Sequence, residues 1–349
     1  MGAGKTCDVA IVGGGPAGSV LAYQLARRGA RVCLFSLPRQ REKPCGGATS
    51  ESLLRQCCPE AAQALAPHAQ RPQAVRFAWP DGSEETFPIV SGDIVVLSRA
   101  ALDGQLRSAA TRAGAQVSAQ RVAGVEREQG SWRVATGNGA TVTAELIVAA
   151  DGAASAVSGL AAQLQGRMPW EEFWLARGVF LRHAQVAELA IAAREEGGYL
   201  WAFARADGTS AGILGRVGER ADKLRAALAR FLRSLGVRGD RAVPWAALIP
   251  RVTNTAWRNR RCAGENWLLL GDAAGHADAL TGEGLCYALR GAMLAAEAIA
   301  QGKPEEFEQR WRDEFGSVLA ASAHLFLLAE AKRGPLGHAE LIREAYQQL

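Results

Sequence analysis

The chain has 349 residues, nearly half apolar and about a fifth charged, an ordinary globular balance with length for a sizeable buried core in one large or two ordinary domains. Forty Lys and Arg against 35 Asp and Glu leave a formal charge of +5, too mild to argue for nucleic acid, and no basic run is interleaved with aromatic residues. Seven cysteines, odd in number with Cys57 and Cys58 adjacent and no paired CxxC units, give no sign of a zinc site, so no metal is expected.

With no leader ahead of the first strand, this cysteine usage points to a reduced, cytoplasmic compartment. No apolar stretch reaches the ~20 residues that span a bilayer, which leaves room only for contact with a membrane from outside.

In chain order, Asp8–Val12 is an apolar run suited to a buried parallel strand. A glycine turn follows, then a helix from Pro16 with Val20, Leu21 and Leu25 at helical spacing and Gly29 as its stop. Arg31–Phe35 completes a βαβ unit. Residues 74–97 read as short strands broken by an Asp81-Gly82 turn, and 98–113 as a helix with Leu102, Leu106, Ala109 and Ala113 on one face. More strands end in Leu146–Ala150. Residues 172–216 read as long antiparallel strands. The helix at 220–235 sets Leu224, Leu228, Phe231, Leu232 and Leu235 against a basic face, which reads as solvated more readily than as a docking surface. Trp267–Leu270 is a strand, an Ala-rich helix starts near Gly284, and the remainder from Pro304 to Leu349 is helical.

The expected fold is α/β with an α+β insertion: a Rossmann-type nucleotide domain (1–72, 93–165 and 255–303), an inserted antiparallel-sheet substrate domain (73–92 and 166–254), and a C-terminal helical segment (304–349).

Three motifs carry the chemistry. Gly13-x-Gly15-x-x-Gly18 lies between strand and helix, where Gly13 permits the tight turn, Gly15 lets backbone approach a pyrophosphate, and Gly18 lets helix pack on sheet. The acid expected after the second strand is replaced by Ser36, which cannot grip ribose hydroxyls bidentately, so weaker than usual FAD binding is expected. Arg39 and Arg41 suggest an NADP phosphate, but the later motifs favour FAD. Asp151-Gly152-x-x-Ser155 follows a strand. Gly271-Asp272 ends another, placing Asp272 to accept a ribityl hydroxyl. Thr281-Gly282-Glu283-Gly284 opens a helix whose positive end can face the flavin where negative charge collects on reduction.

In this order the motifs resemble the FAD-dependent monooxygenase superfamily with the p-hydroxybenzoate hydroxylase fold. Lys43-Pro44-Cys45-Gly46-Gly47 is similar to the cysteine loop of the geranylgeranyl reductase family, and Tyr199-Leu200-Trp201-Ala202-Phe203 to its Tyr-x-Trp-x-Phe-Pro motif. Arg99-x-x-x-Asp103 resembles the superfamily's arginine helix, which implies that Arg99 lies beside the flavin nucleotide. Ala204 and Ala279 stand where the family carries prolines. Flavin halogenases share the fold, but their lysine loop and Trp-x-Trp-x-Ile-Pro motif are absent.

The resemblance implies FAD as cofactor, with Gly13, Gly15, Gly18, Ser36, Arg99, Asp151, Gly271, Asp272, Gly282 and Gly284 around it. Cys45, Tyr199, Trp201 and His276 are the candidates for the chemistry, each with a plainer alternative. Cys45 either shapes the pocket or donates a proton to the substrate, or is a small packed residue. Tyr199, Trp201 and Phe203 either wall a substrate tunnel or fill a core. His276 is an acid or base near the flavin or, more readily, a structural histidine. Cys57 and Cys58 read as packing residues on a helix, and Glu283 as a helix-start carboxylate.

The implied activity is reduction of a carbon–carbon double bond in a bulky apolar substrate by hydride from flavin N5. The fold also serves hydroxylation of an aromatic ring, including a protein-bound tryptophan during quinone-cofactor maturation. A flavin-free binding protein is a third reading. With no second dinucleotide fingerprint, electrons would come from transiently docked NAD(P)H or a redox protein.

Overall fold

A computed structural model describes residues 5–38, 42–194, 196–237, 242–253, 259–331 and 335–347. Arg39 and Arg41 lie outside them. The chain forms two main sheets with helices packed around them, an α/β fold with a parallel Rossmann-type core and a second, largely antiparallel sheet.

Strand β1 (Lys5–Val12) sits at the centre of the first sheet, where its side chains from Val9 to Ile11 are almost wholly buried. It pairs in parallel with β2 (Val32–Phe35) on one side and with Thr141–Ala149 on the other, and the latter pairs in parallel with Trp267–Leu269. Helix α1 (Pro16–Ala26) connects β1 to β2 and packs between the helices Arg99–Arg112 and Leu285–Ala300. The β1–α1 turn depends on glycine. Gly13 has φ +113°, and a Cβ there would collide with the Ala150 carbonyl; one on Gly18 would collide with the Gly13 carbonyl.

The second sheet runs, in spatial order, Ala242–Pro250, Phe173–Arg182, Gly208–Arg216, Tyr199–Arg205, Leu189–Ala193, Ala74–Ala78 and Glu84–Pro88. All neighbours are antiparallel except Leu189–Ala193 with Ala74–Ala78, whose parallel pairing joins segments far apart in sequence. The prolines at 244 and 250 confine Ala242–Pro250 to the edge. On the outer face, Leu224, Leu228 and Phe231 of the helix Ala221–Ser234 cover Leu200, Ala202, Ala211 and Ile213. Its Lys223, Arg225, Arg230 and Arg233 are exposed.

Cys57 closes a short helix (Glu51–Cys57), and Cys58 separates it from the next (Pro59–Leu65); both thiols are fully buried. No helix among the described residues is long and apolar enough to cross a membrane.

Candidate active site

A cavity of about 570 Å³ lies between the carboxyl ends of the parallel strands and the inner face of the second sheet. Its two ends differ in chemistry. At one, the motif loops gather: Gly13 and Gly15, Ser36 at the end of β2, Asp151 after Thr141–Ala149, and Gly271 and Asp272 after Trp267–Leu269. A Cβ on Gly15 would meet nothing nearer than the Arg99 guanidinium at 3.9 Å, so this backbone is open to a ligand. No side chain caps the amino end of α1. Asp151 Oδ1 is buried with no partner among the described residues, and burial raises its carboxyl above the usual range despite a bond from Ser155. Uncapped N–H groups, an open glycine backbone and an orphaned acceptor fit a dinucleotide with a pyrophosphate and ribityl hydroxyls.

Ser98 caps the helix Arg99–Arg112 by accepting the Ala101 N–H at 3.1 Å, which fixes Arg99 at its first turn. Arg99 is buried and pairs with Asp103 through bonds of 2.9 and 3.1 Å. Burial works against its charge, but Asp103 and the nearby Cys45 more than offset this, so it stays cationic. Arg107 donates to the Gly14 carbonyl at 3.1 Å.

The loop from Glu42 to Gly47 crosses the cavity and is pinned on both sides. Glu42 accepts from the Arg99 N–H at 2.7 Å and from Arg205 at 2.8 Å. Lys43 Nζ lies 3.1 Å from Asp272 Oδ2. Ser210 donates to the Cys45 carbonyl at 2.7 Å, and a Cβ on Gly46 would press Phe203 at 2.9 Å. Cys45 thus stands where the charged end meets the second sheet.

That sheet supplies the other end. Along Tyr199–Arg205 the alternation of the strand points Tyr199, Trp201 and Phe203 inward. In register across four strands lie Trp245, Gly178, Gly212 and Trp201. The two indoles lean over the two glycines and meet with ring centroids 5.9 Å apart at 35°. A side chain at either glycine would collide with them. Beside this row Ala176 and Ala247, cross-strand partners, leave a shallow recess bordered by Leu214 and Ile249. The Tyr199 hydroxyl donates to the Thr281 carbonyl, tying the aromatic wall to the loop with Gly282, Glu283 and Gly284. Burial pushes the Glu283 carboxyl up to about 7.

Of the sequence-named residues, the cavity wall includes Gly13, Gly15, Ser36, Cys45, Arg99, Asp151, Tyr199, Trp201, Gly271, Asp272, Gly282 and Gly284. Gly18 lies behind it, where helix meets strand. His276 stands apart. It is fully buried among Trp311, Phe315 and Phe307, with Cys262 Sγ at 3.6 Å, and does not line the cavity. Burial, then Arg260 and Arg312, lowers it to about 3, so it is neutral. The 3-10 turn at Gly271–Ala273 carries it behind the strand end, away from the position an acid or base would need. Lys43, Trp245 and Glu42 were not singled out from sequence. Only Lys43 had a signal, its place in the cysteine loop. No metal-holding cluster exists among the described residues.

Comparisons with known proteins bear on the fold and the family. Residues 7–190 match the model of the pyridine nucleotide-disulphide oxidoreductase family. The chain is 30% identical over 346 residues to the digeranylgeranylglycerophospholipid reductase 2 of Methanopyrus kandleri, covering 89% of this chain and 83% of that protein. A solved geranylgeranyl bacteriochlorophyll reductase-like protein from Thermoplasma acidophilum superposes with TM-score 0.79 at 21% identity, over 99% of this chain and 93% of that one. A probable FAD-dependent monooxygenase from Pseudomonas aeruginosa superposes with TM-score 0.73 at 20% identity, over 97% of this chain and 100% of that one.

Proposed function

The chain belongs to the pyridine nucleotide-disulphide oxidoreductase family as a geranylgeranyl reductase-like, FAD-dependent oxidoreductase, and on that premise we propose that it reduces a carbon–carbon double bond in a bulky, largely apolar substrate. The observation that carries this reading is the split of the cavity. Lys43, Arg99, Asp151 and Asp272 collect at the glycine-turn end, with Glu283 on the loop that joins the two ends, while the sheet face opposite presents Tyr199, Trp201, Phe203, Trp245, Ala247 and Ile249. An apolar chain laid on that face meets no charged side chain of the sheet.

Bound FAD supplies the hydride chemistry. The chain's own groups hold and orient. Arg99, Lys43 and the amino end of α1 would hold the negative part of the cofactor, and Asp151 and Asp272 would accept its hydroxyls. The pinned loop from Glu42 to Gly47 covers the cavity and keeps water from the reacting carbon. Cys45 lies at the boundary between the two ends, where a thiol can give a proton to the substrate. Electrons come from docked NAD(P)H or a redox protein. The reductase name of the Methanopyrus kandleri relative points to a polyprenyl substrate.

The paired indoles support a second reading, oxygen-dependent hydroxylation of a flat ring stacked on them. One experiment separates the two. FAD-loaded protein is reduced without oxygen and offered polyprenyl lipids. Anaerobic reoxidation of the flavin with a product heavier by two hydrogens supports reduction. No reoxidation until oxygen is admitted, with oxygen incorporated into an aromatic substrate, overturns it.

A further inference from the structure

The helix Leu285–Ala300 begins at the cavity wall with Gly284 as its N-cap, a residue with no side chain to offer the free N–H groups. Glu283 takes that role. Its carboxylate accepts the Cys286 N–H at 2.8 Å, and its own N–H donates to Thr281 Oγ1 at 3.2 Å. Asp278 holds the loop in shape, accepting from the N–H groups of Leu280 and Thr281 and from the Thr281 hydroxyl.

The ionisable groups facing Glu283 are Asp278 on its own loop and Cys286 and Tyr287 on the helix. From the neighbouring strand Ala48–Ser50, Thr49 meets Cys286, with Oγ1 and Sγ 3.7 Å apart. Among the described residues no cation pairs with Glu283, and Lys43 is engaged with Asp272. A carboxylate in this position is stabilised by the N–H groups of the helix end and by the Cys286 thiol, with no cation beside it among the described residues.

We propose that Glu283 is the redox-linked proton acceptor of the site: ionised beside oxidised FAD, it takes up a proton when the cofactor gains two electrons. A second negative charge at the same helix end would repel the first through a poorly screening interior. Two electrons entering with one proton on the flavin ring and one on Glu283 leave the net charge of the site unchanged. The electrons come from a reduced nicotinamide or a redox protein, and the proton from solvent. Burial has already brought the carboxyl to about 7, so little added repulsion is needed to protonate it at neutral pH. The proposal rests on the flavin ring lying against Gly282–Gly284 and is independent of the substrate, so it and the reductase reading fail separately.

The test is the midpoint potential of bound FAD against pH in the wild type and in Glu283→Gln, with dithionite as reductant. Above pH about 7, the wild-type potential is expected to fall by about 30 mV more per pH unit, one extra proton per two electrons. In that range the variant, having lost a negative charge, is expected to be the easier to reduce. Parallel profiles, whatever their offset, overturn the proposal. Should the variant fail to hold FAD, redox-difference infrared spectra of the wild type decide. The carbonyl stretch of a newly protonated carboxylic acid, surviving in Asp278→Asn, is expected on reduction; its absence overturns the proposal.

Discussion

Trp201 and Trp245 meet with ring centroids 5.9 Å apart above Gly212 and Gly178, which face each other on the two strands between them. The indoles lie flat only because neither glycine has a Cβ. Gly212→Ala places a methyl group against both rings at once. We expect a loss of about 1–3 kcal/mol in stability, the usual cost of overpacking, with FAD affinity changed less than about twofold. Thermal unfolding and a flavin titration check this, and an unchanged melting temperature would show that the rings are not wedged.

The recess at Ala247 offers a complementary change. Ala247 is half-buried, faces the cavity and sits on an edge strand that can shift slightly. Ala247→Leu fills the space with little strain on the fold. Turnover of a bulky apolar substrate is expected to drop by ~10-fold or more, about 1.4 kcal/mol, while FAD binding stays as it was. Equal turnover of long and short polyprenyl substrates by the variant would place the substrate elsewhere.

Substitutions at Lys43 and Ser36 are expected to shift FAD binding in opposite directions. Lys43→Met removes a cation held 3.1 Å from Asp272, and we expect FAD to bind about 5–10-fold more weakly, roughly 1 kcal/mol. Ser36→Glu restores a carboxylate at the end of β2, and a gain of similar size is expected. Quenching of flavin fluorescence reads both. Dissociation constants equal to the wild type's in both variants would remove both residues from the cofactor's surroundings.

His276 gives a pH signature of its own. Its value falls from 6.5 to about 3 on folding. Between these limits the unfolded chain binds the extra proton, so stability present above pH 6.5 is lost as pH falls. The slope is up to about 1.4 kcal/mol per pH unit. His276→Gln is expected to flatten this part of the curve, whatever it does to stability at neutral pH. Urea unfolding at about pH 7, 6 and 5 measures it, and an unaltered slope would mean that the acid sensitivity arises elsewhere.

What could be read from sequence was what the backbone dictates locally. The glycine turn at Gly13–Gly18, the strand ends at Asp151 and Asp272 and the helix at Arg99 declare themselves through residue type and spacing. The alternation of Tyr199, Trp201 and Phe203 fixed their shared face. Trp245 did not declare itself, because its strand carries two prolines and its glycine partners belong to other strands. The Lys43–Asp272 pair spans 229 positions, beyond any local pattern. His276 is a candidate only through its neighbours in the motif; its burial fits the structural reading, since adjacency along the chain does not say on which side of a tight turn a side chain emerges.

The sheet pairings also bear on how the protein is made. Strand β1 cannot join Thr141–Ala149 until that segment has left the ribosome, and Trp267–Leu269 arrives later still. Ala74–Ala78 likewise waits for Leu189–Ala193. Contacts of such long range are slow to form, and the strand edges stay open during synthesis. Nascent chains halted before residue 267 would therefore leave the edge at Ile147–Ala149 without its Trp267–Leu269 partner and depend on chaperones that shield exposed strand edges.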